Sequence, residues 1–334
     1  STLGWPDTSS TDLQRFFPNS VLVTGYDIIF FWVARMAFMS EHFMHELPFK
    51  DVLIHGLVRD AQGRKMSKSL GNGVDPIEVI DQYGADTLRF MLITGNTPGN
   101  DLRFHPERLE ATRNFSNKIW NASRYVLLNL EDYEEGPRGE LALADRWILT
   151  RYASTVENVT GALEKFDLGE AGRLLYEFIW NEFCDWYIEL TKPRLYNKED
   201  VLARHTAQSV LLEVLEGTLR LLHPFMPFLT EEIWQNFPVQ GKSIMMQPWP
   251  EVPAYRDAVA EGNMTLLMEA IKAIRNIRAE MKVAPGQKVE IIMLAPDQTQ
   301  RAVLENGKAD ILKLAGGASV ELFEALTEKP SQSA

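Results

Sequence analysis

Two short β-branched runs bracket a long apolar stretch, and this arrangement limits the fold more than any other feature. "SVLVTG" (Ser20 to Gly25) ends on a glycine, "YDIIFFWVARMAFMSEHFM" follows, and "DVLIHGLVRD" (Asp51 to Asp60) comes next. Each outer run reads as a buried strand. The stretch between them is too long for a strand and apolar almost all round, so it reads as a buried helix. A helix between two strands is the crossover that parallel pairing needs. Downstream, Asp75 is placed to cap a helix, with Pro76 at its first position, Glu78 as the capping-box acid and Gly84 at its end. "ADTLRFMLI" begins another helix. Residues 1–104 therefore read as part of a parallel α/β layer. Two strands cannot close such a sheet, so the expectation is a piece of a longer protein.

From Pro106 the rhythm changes. Phe115, Ile119, Ala122 and Val126 keep helical spacing, and three long amphipathic segments follow, "LADRWILTRYASTVENVTGALEKF", "GEAGRLLYEFIWNEFCDWYIEL" and "ARHTAQSVLLEVLEGTLRLL". "HPFMPFLTEEIWQNF" turns through two prolines into a short helix capped at Thr230. Residues 105–258 read as an all-α bundle with short connections. Within 259–334 a helix, "NMTLLMEAIKAIRNIRAEMKV", precedes two strands, "QKVEIIMLA" and "GGASVELFEAL", which makes a small α+β module ending in a disordered tail.

Length and composition bound the class. The 334 residues suffice for two or three domains, and 45% hydrophobic with 24% charged residues is an ordinary globular balance. No apolar run reaches membrane length, and "STLGWPDTSS" lacks the regions of a signal peptide. The single cysteine, Cys184, excludes an internal disulfide and reads as a buried small hydrophobe, and six scattered histidines show no metal-ligand spacing. No bound metal, no membrane contact and a reducing, cytoplasmic setting are expected. A net charge of −12 argues weakly against nucleic-acid binding, because binding depends on local patches.

"QGRKMSKSLGN" (Gln62 to Asn72) is the stretch richest in chemistry. Lysines are flexible point cations suited to phosphate, while Gly71 and Gly73 permit close approaches. A solvated hairpin tip would look similar. Its neighbourhood favours a polyphosphate. "KMSKSLGN" resembles the second signature of the class I aminoacyl-tRNA synthetases. "TGYDIIFFWVARM", "HGLVRDAQGRKMSKSLGN", "RNFSNKIWN" and "NEFCDWYIELTKPRLY" are similar to the valine-specific branch of that family and occur in the family's order. The family's first, HIGH-type histidine signature has no counterpart here, and there is no length for an editing insertion ahead of the lysine loop. The resemblance therefore implies the C-terminal part of a Rossmann-like catalytic domain, an anticodon-binding bundle and a junction module. Such a piece is expected to be inactive alone. Alternatives are a non-catalytic tRNA-binding module, or an isoleucyl, leucyl or methionyl relative.

The resemblance also implies substrates and roles. ATP, carried with Mg2+, and valine give an adenylate, and valine then passes to tRNA(Val); a monomer is expected. Lys65 and Lys68, with Lys68 foremost, should neutralise charge on the leaving pyrophosphate. Ser67 and Ser69 should bond phosphate or order the loop. Gly25 and Asp27 follow the first strand, where open α/β sheets bind ligands, and Asp27 reads either as a ribose contact or as a helix N-cap. Trp32 faces an amino-acid pocket or is plain aromatic core. The backbone of His55, Gly56, Leu57 and Val58 is placed to meet adenine, with the His55 ring either at ATP or packed in the core. Trp180, Phe183, Trp186 and Tyr187 read mostly as core, with one or two left for stacking on bases. Lys272, Arg275, Arg278 and Lys282 form a basic row beside Leu267, Ile271, Ile274 and Met281, either a solvated face or a phosphate contact to tRNA.

Overall fold

The computed structural model describes residues 2–95, 97, 99–238, 241–325 and 333, and of Lys68 the backbone alone. In chain order the elements begin with helix α1 (Thr11–Phe16), strand β1 (Asn19–Gly25), helix α2 (Ala34–Met44) and strands β2 (Phe49–His55) and β3 (Val58–Arg59). Helices α3 (Pro76–Tyr83) and α4 (Ala85–Thr94), strand β4 (Leu102–Arg103) and helices α5 (Pro106–Leu128), α6 (Leu143–Glu164) and α7 (Leu168–Glu177) follow. Then come α8 (Ile188–Tyr196), α9 (Val201–Leu222), α10 (Pro227–Trp234) and α11 (Ala258–Glu280). Strand β5 (Val289–Leu294), helices α12 (Gln298–Asn306) and α13 (Lys308–Ala315) and strand β6 (Gly317–Phe323) end the order. No helix among the described residues is long and apolar enough to cross a membrane.

The chain divides into two compact units. One holds residues 1–121, 158–176 and 219–249, and the other residues 122–157, 177–218 and 250–334. In the first, β1 and β2 pair in parallel from Asn19↔Phe49 to Gly25↔His55. Their crossover is a 3-10 turn (Tyr26–Ile28), a π-helical turn (Ile29–Val33) and α2. The expected strand over residues 51–60 is broken at Gly56. A Cβ there would fall 1.9 Å from the Asn100 carbonyl oxygen, an approach open only to glycine. Beyond the break, β3 pairs with β4, Val58↔Leu102 and Arg59↔Arg103.

The expectation that the crossover helix is buried fails. Phe30 is 81% exposed and Phe31 70%, and Phe38, Met39 and Phe43 are exposed as well. A two-stranded sheet offers too little surface to cover a helix that is apolar all round. The apolar core of this unit lies further on, where Val79, Leu88, Met91, Phe104 and Leu109 cluster with Met66, Ile80, Tyr83 and Leu92 against them. Helix α3 starts as its sequence requires, with Asp75 accepting from the Ile77 amide at 2.8 Å and Pro76 at the first position. Helix α10 does not. Thr230 is fully buried inside it, and its hydroxyl donates to the Met226 carbonyl at 2.8 Å. The cap comes from α4, where Asp86 accepts from the Leu229 amide at 2.6 Å and from the Phe228 amide at 3.4 Å. Arg89 secures the preceding turn by donating to the carbonyls of Pro224 (3.0 Å) and Phe225 (3.3 Å).

The second unit holds a π-helical run (Phe178–Tyr187) that continues into α8. Phe178, Phe183, Trp186 and Tyr187 are buried, and Cys184 is half-buried. Asp145, at 0% side-chain exposure, accepts from the Tyr187 hydroxyl at 2.8 Å and from both terminal nitrogens of Arg194 at 2.5 and 2.6 Å. Burial raises the Tyr187 hydroxyl well above its ordinary value. Strands β5 and β6 pair in parallel, with α12 and α13 as their crossover. Asp297 caps α12 through the Gln300 amide at 2.8 Å.

Candidate active site

The carboxyl ends of β1 and β2 meet at Gly25↔His55. A Cβ on Gly25 would lie 2.8 Å from Asp27 Oδ1, 3.4 Å from Leu57 Cδ2 and 3.6 Å from His55 Cε1. Gly25, Asp27, His55 and Leu57 thus surround one point. Asp27 is not a helix cap. The cap position of its 3-10 turn is Gly25, and no side chain bonds there. Its carboxylate instead faces Lys65, Nζ to Oδ2 at 3.8 Å, with the lysine side chain 69% exposed. The His55 ring is exposed rather than packed in the core, with Nδ1 donating to the Gly56 carbonyl at 2.7 Å. Val58 is 39% exposed. The Leu57 amide donates to Asp101 Oδ1 at 2.7 Å and its carbonyl accepts from the Leu102 amide at 2.9 Å, so both backbone polar groups of Leu57 are already bonded within the chain. Trp32 stands 43% exposed in the π-helical turn, outside any packed core.

The lysine loop has defined edges. An isolated antiparallel bridge joins Arg59 to Lys65, and Gly63 turns the chain at φ 81°. Met66 packs on the apolar cluster, which fixes one side of the loop. Ser67 and Ser69 bond each other through their hydroxyls at 3.2 Å, and Ser67 Oγ accepts from the Leu70 amide at 3.3 Å, starting the 3-10 turn Lys68–Leu70. The serines therefore order the loop in this conformation. Gly71 adopts φ 60° with open space about it, while Gly73 uses no such conformation. The side chain of Lys68 lies outside the described residues.

Two carboxylates that sequence reasoning passed over hold this region. Asp60 is 7% exposed, and its oxygens accept from the Gln62 and Arg64 amides, Arg64 Nε and Asn72 Nδ2 at 3.1, 2.7, 2.7 and 2.8 Å. The Asn72 bond, with the Arg64 bonds after it, holds the Asp60 carboxyl down at about 2. Asp101 joins Arg59 by an ion pair, accepts from the Tyr26 hydroxyl at 3.2 Å, and is lowered chiefly by the Leu57 amide. The only local signal for either was an acidic residue beside a turn, which is common on any surface.

The basic row of α11 is not a uniform face. Lys272 and Arg275 lie over the Trp186 ring at 5.7 and 5.4 Å from its centroid. Arg275 Nε donates to the Leu314 carbonyl at 2.8 Å, and Arg278 donates to the carbonyls of Gly316, Ala284 and Gln287 at 3.2, 3.2 and 2.7 Å. Lys282 lies past the helix end, at φ 53°. In the neighbouring row Leu267 and Ile271 are buried, Ile274 is half-buried and Met281 is 60% exposed. Among the described residues no group of three or more His, Cys, Asp or Glu side chains gathers to hold a metal.

Comparison with known proteins finds two family models along the chain. Residues 1–105 match the family model for class I tRNA synthetases of the I, L, M and V group, and residues 145–293 match that for the anticodon-binding domain of tRNA ligase. Valine--tRNA ligase of Carboxydothermus hydrogenoformans is 61% identical over 92% of this chain and 35% of its own length. That of Geobacillus stearothermophilus is 57% identical over 92% and 36%, and that of Listeria innocua 53% identical over 100% and 38%. The chain thus spans little more than a third of these curated relatives. Among solved structures, Mycobacterium tuberculosis methionyl-tRNA synthetase in complex with methionyl-adenylate is similar at TM-score 0.59 and 26% identity, over 69% of this chain and 46% of that one. The Agrobacterium radiobacter LeuRS–tRNA–LeuAMS complex shares the fold at TM-score 0.56 and 21% identity, over 83% of this chain and 31% of that one. With both family models matched in order and more than half the residues identical across nearly the whole length, this chain belongs to the class I aminoacyl-tRNA synthetases.

Proposed function

We propose that this chain supplies the lysine-loop side of the adenylation site and the tRNA-binding bundle of a valine–tRNA ligase. The observation that carries the reading is the approach of Lys65 to Asp27 at the carboxyl ends of two parallel strands. Open α/β sheets bind ligands there, so a cationic loop facing that edge meets the phosphates of a nucleotide seated on it. Gly25 leaves room for the nucleotide, Asp27 suits the ribose hydroxyls, and His55, Leu57 and Val58 flank adenine. Trp32 borders the amino-acid pocket. The layer is the C-terminal part of a Rossmann-like domain over 1–104, followed by the bundle over 105–258 and a junction module over 259–334.

In the first step a valine carboxylate oxygen attacks the α-phosphorus of ATP. The bond to the β-phosphate breaks, and pyrophosphate leaves with the electron pair and with the Mg2+ that ATP brought. Negative charge grows on the departing phosphates, and Lys65 and Lys68 meet it there; stabilising developing charge raises the rate rather than the affinity. Ser67 and Ser69 keep the loop shaped. In the second step a ribose hydroxyl of tRNA(Val) attacks the adenylate carbonyl and AMP leaves. Lys272, Arg275, Arg278 and Lys282 contribute phosphate attraction from the junction module beside the bundle, the two arginines with their positions set by the carbonyls they already bond. The protein works as a cytoplasmic monomer.

Lys68→Ala tests the reading in a full-length synthetase carrying this sequence. The rate of valine-dependent pyrophosphate exchange should fall about 10²–10³-fold while the KM for valine stays within a few-fold. A mutant with nearly wild-type exchange would sink the assignment.

A further inference from the structure

We propose that Asp60 and Asn72 form a clasp that positions the lysine loop for the adenylation step without touching substrate. The proposal rests on the reading of the site given above. Asp60 closes the loop's entry by taking the Gln62 and Arg64 amides and Arg64 Nε. Asn72 closes its exit, donating from Nδ2 to Asp60 Oδ2 at 2.8 Å and to the Lys65 carbonyl at 3.3 Å, and accepting from the Ser67 amide at 2.9 Å. Asn72 thus grips the loop backbone on both sides of Met66.

Among the described residues, apolar packing adds little to hold the segment. Leu70 is 61% exposed, a Cβ at Gly71 or Gly73 would meet nothing within 4 Å, and Met66 is the loop's link to the apolar cluster. A loop with so little packing owes its shape to polar bonds. With four donors on its two oxygens, Asp60 is engaged entirely within the loop. Its charge, opposed by Arg64, costs little beside an incoming phosphate. Asn72 is specified by chemistry too. Aspartate there would face a second carboxylate at bonding distance, and alanine would release Ser67 and Lys65 together.

Two readouts test the clasp. The first is trypsin cleavage after Lys65 and Lys68 in this chain, which follows loop opening and needs no catalysis. The second is valine-dependent pyrophosphate exchange in a full-length synthetase carrying this sequence. Asp60→Asn and Asn72→Ala should each speed cleavage about tenfold, the usual cost of losing a hydrogen bond to a charged group. Each should lower kcat by about tenfold or more while the KM for valine stays within about twofold. The exchanged pair, Asp60→Asn with Asn72→Asp, keeps one amide facing one carboxylate and should recover part of both losses. Cleavage at the wild-type rate in Asp60→Asn overturns the clasp. Faster cleavage with kcat unchanged, or kcat and KM worsening together with a lowered Tm, overturns the positioning role. A wild type with no valine-dependent exchange would overturn the function proposed for the site, while the protease arm still decides the clasp.

Discussion

Two stretches of this chain share an uncommon backbone and an aromatic composition, yet differ completely in their surroundings. Ile29–Val33 and Phe178–Tyr187 are both π-helical. In the first, Phe30, Phe31 and Trp32 are 81, 70 and 43% exposed; in the second, Phe178 and Phe183 are 2% exposed and Tyr187 0%. The later stretch has neighbours on several sides. Tyr152 lies 6.3 Å from Phe178 between ring centroids, Asp145 takes the Tyr187 hydroxyl, and Lys272 and Arg275 cover Trp186. The earlier one flanks a two-stranded sheet, and Arg35 over the Phe31 ring, 5.8 Å from its centroid, is partial cover. Aromatic content and local geometry are therefore poor guides to burial, which depends on whether another layer is present.

The contrast can be broken most directly by truncating one ring from each stretch. Phe178→Ala should cost about 3–5 kcal/mol, as large core deletions do, whereas Phe30→Ala should stay within about 0.5 kcal/mol. Urea unfolding of both variants measures this, and similar losses would show that the earlier stretch is packed after all. A polar test of the buried stretch comes next. Asp145→Asn removes the charge that Arg194 meets inside the unit and should cost about 3 kcal/mol, because a buried cation is left without its partner. A loss below about 1 kcal/mol would mean that water reaches Arg194.

A smaller effect distinguishes a cap supplied from afar from one read locally. Asp86→Ala should cost about 1–2 kcal/mol, whereas Asp86→Asn, which still accepts the Leu229 amide, should cost a few tenths, about the spread between good caps. Equal losses in the two variants would assign the effect to charge rather than to capping. The smallest effect is one of pH. His223 lies 2.7 Å from the Thr230 hydroxyl, and burial lowers its affinity for a proton, partly offset by Glu231 and Asp86. Burial disfavours the charged ring, so its contribution to stability is complete above the ordinary value near 6.5 and is lost as pH falls below it. The Tm should therefore drop slightly between pH 7.5 and pH 5 (about one unit either side of that value), and less so in His223→Gln. A Tm that rises over the same interval would reverse the assigned direction.

What the sequence determined by itself was local or shared with relatives. Asp75, Pro76 and Gly84 bound α3 because a cap, a fixed φ and a positive φ act within a few residues. The parallel pairing of β1 and β2 followed from a crossover long enough to hold a helix, and the lysine loop was marked by its own residues. Tertiary structure decided whatever depends on partners remote in the chain. The cap of α10 comes from Asp86, whereas the nearby sequence pointed to Thr230. Lys65 meets Asp27 across the strand ends, Asp60 meets Asn72 across the loop, and Arg275 and Arg278 spend hydrogen bonds on carbonyls around β6 and the turn before β5. Propensity and capping act through neighbouring backbone, so they are written in the order of residues. Burial and long-range hydrogen bonds depend on which surfaces are brought together, and that is settled only when the layers pack.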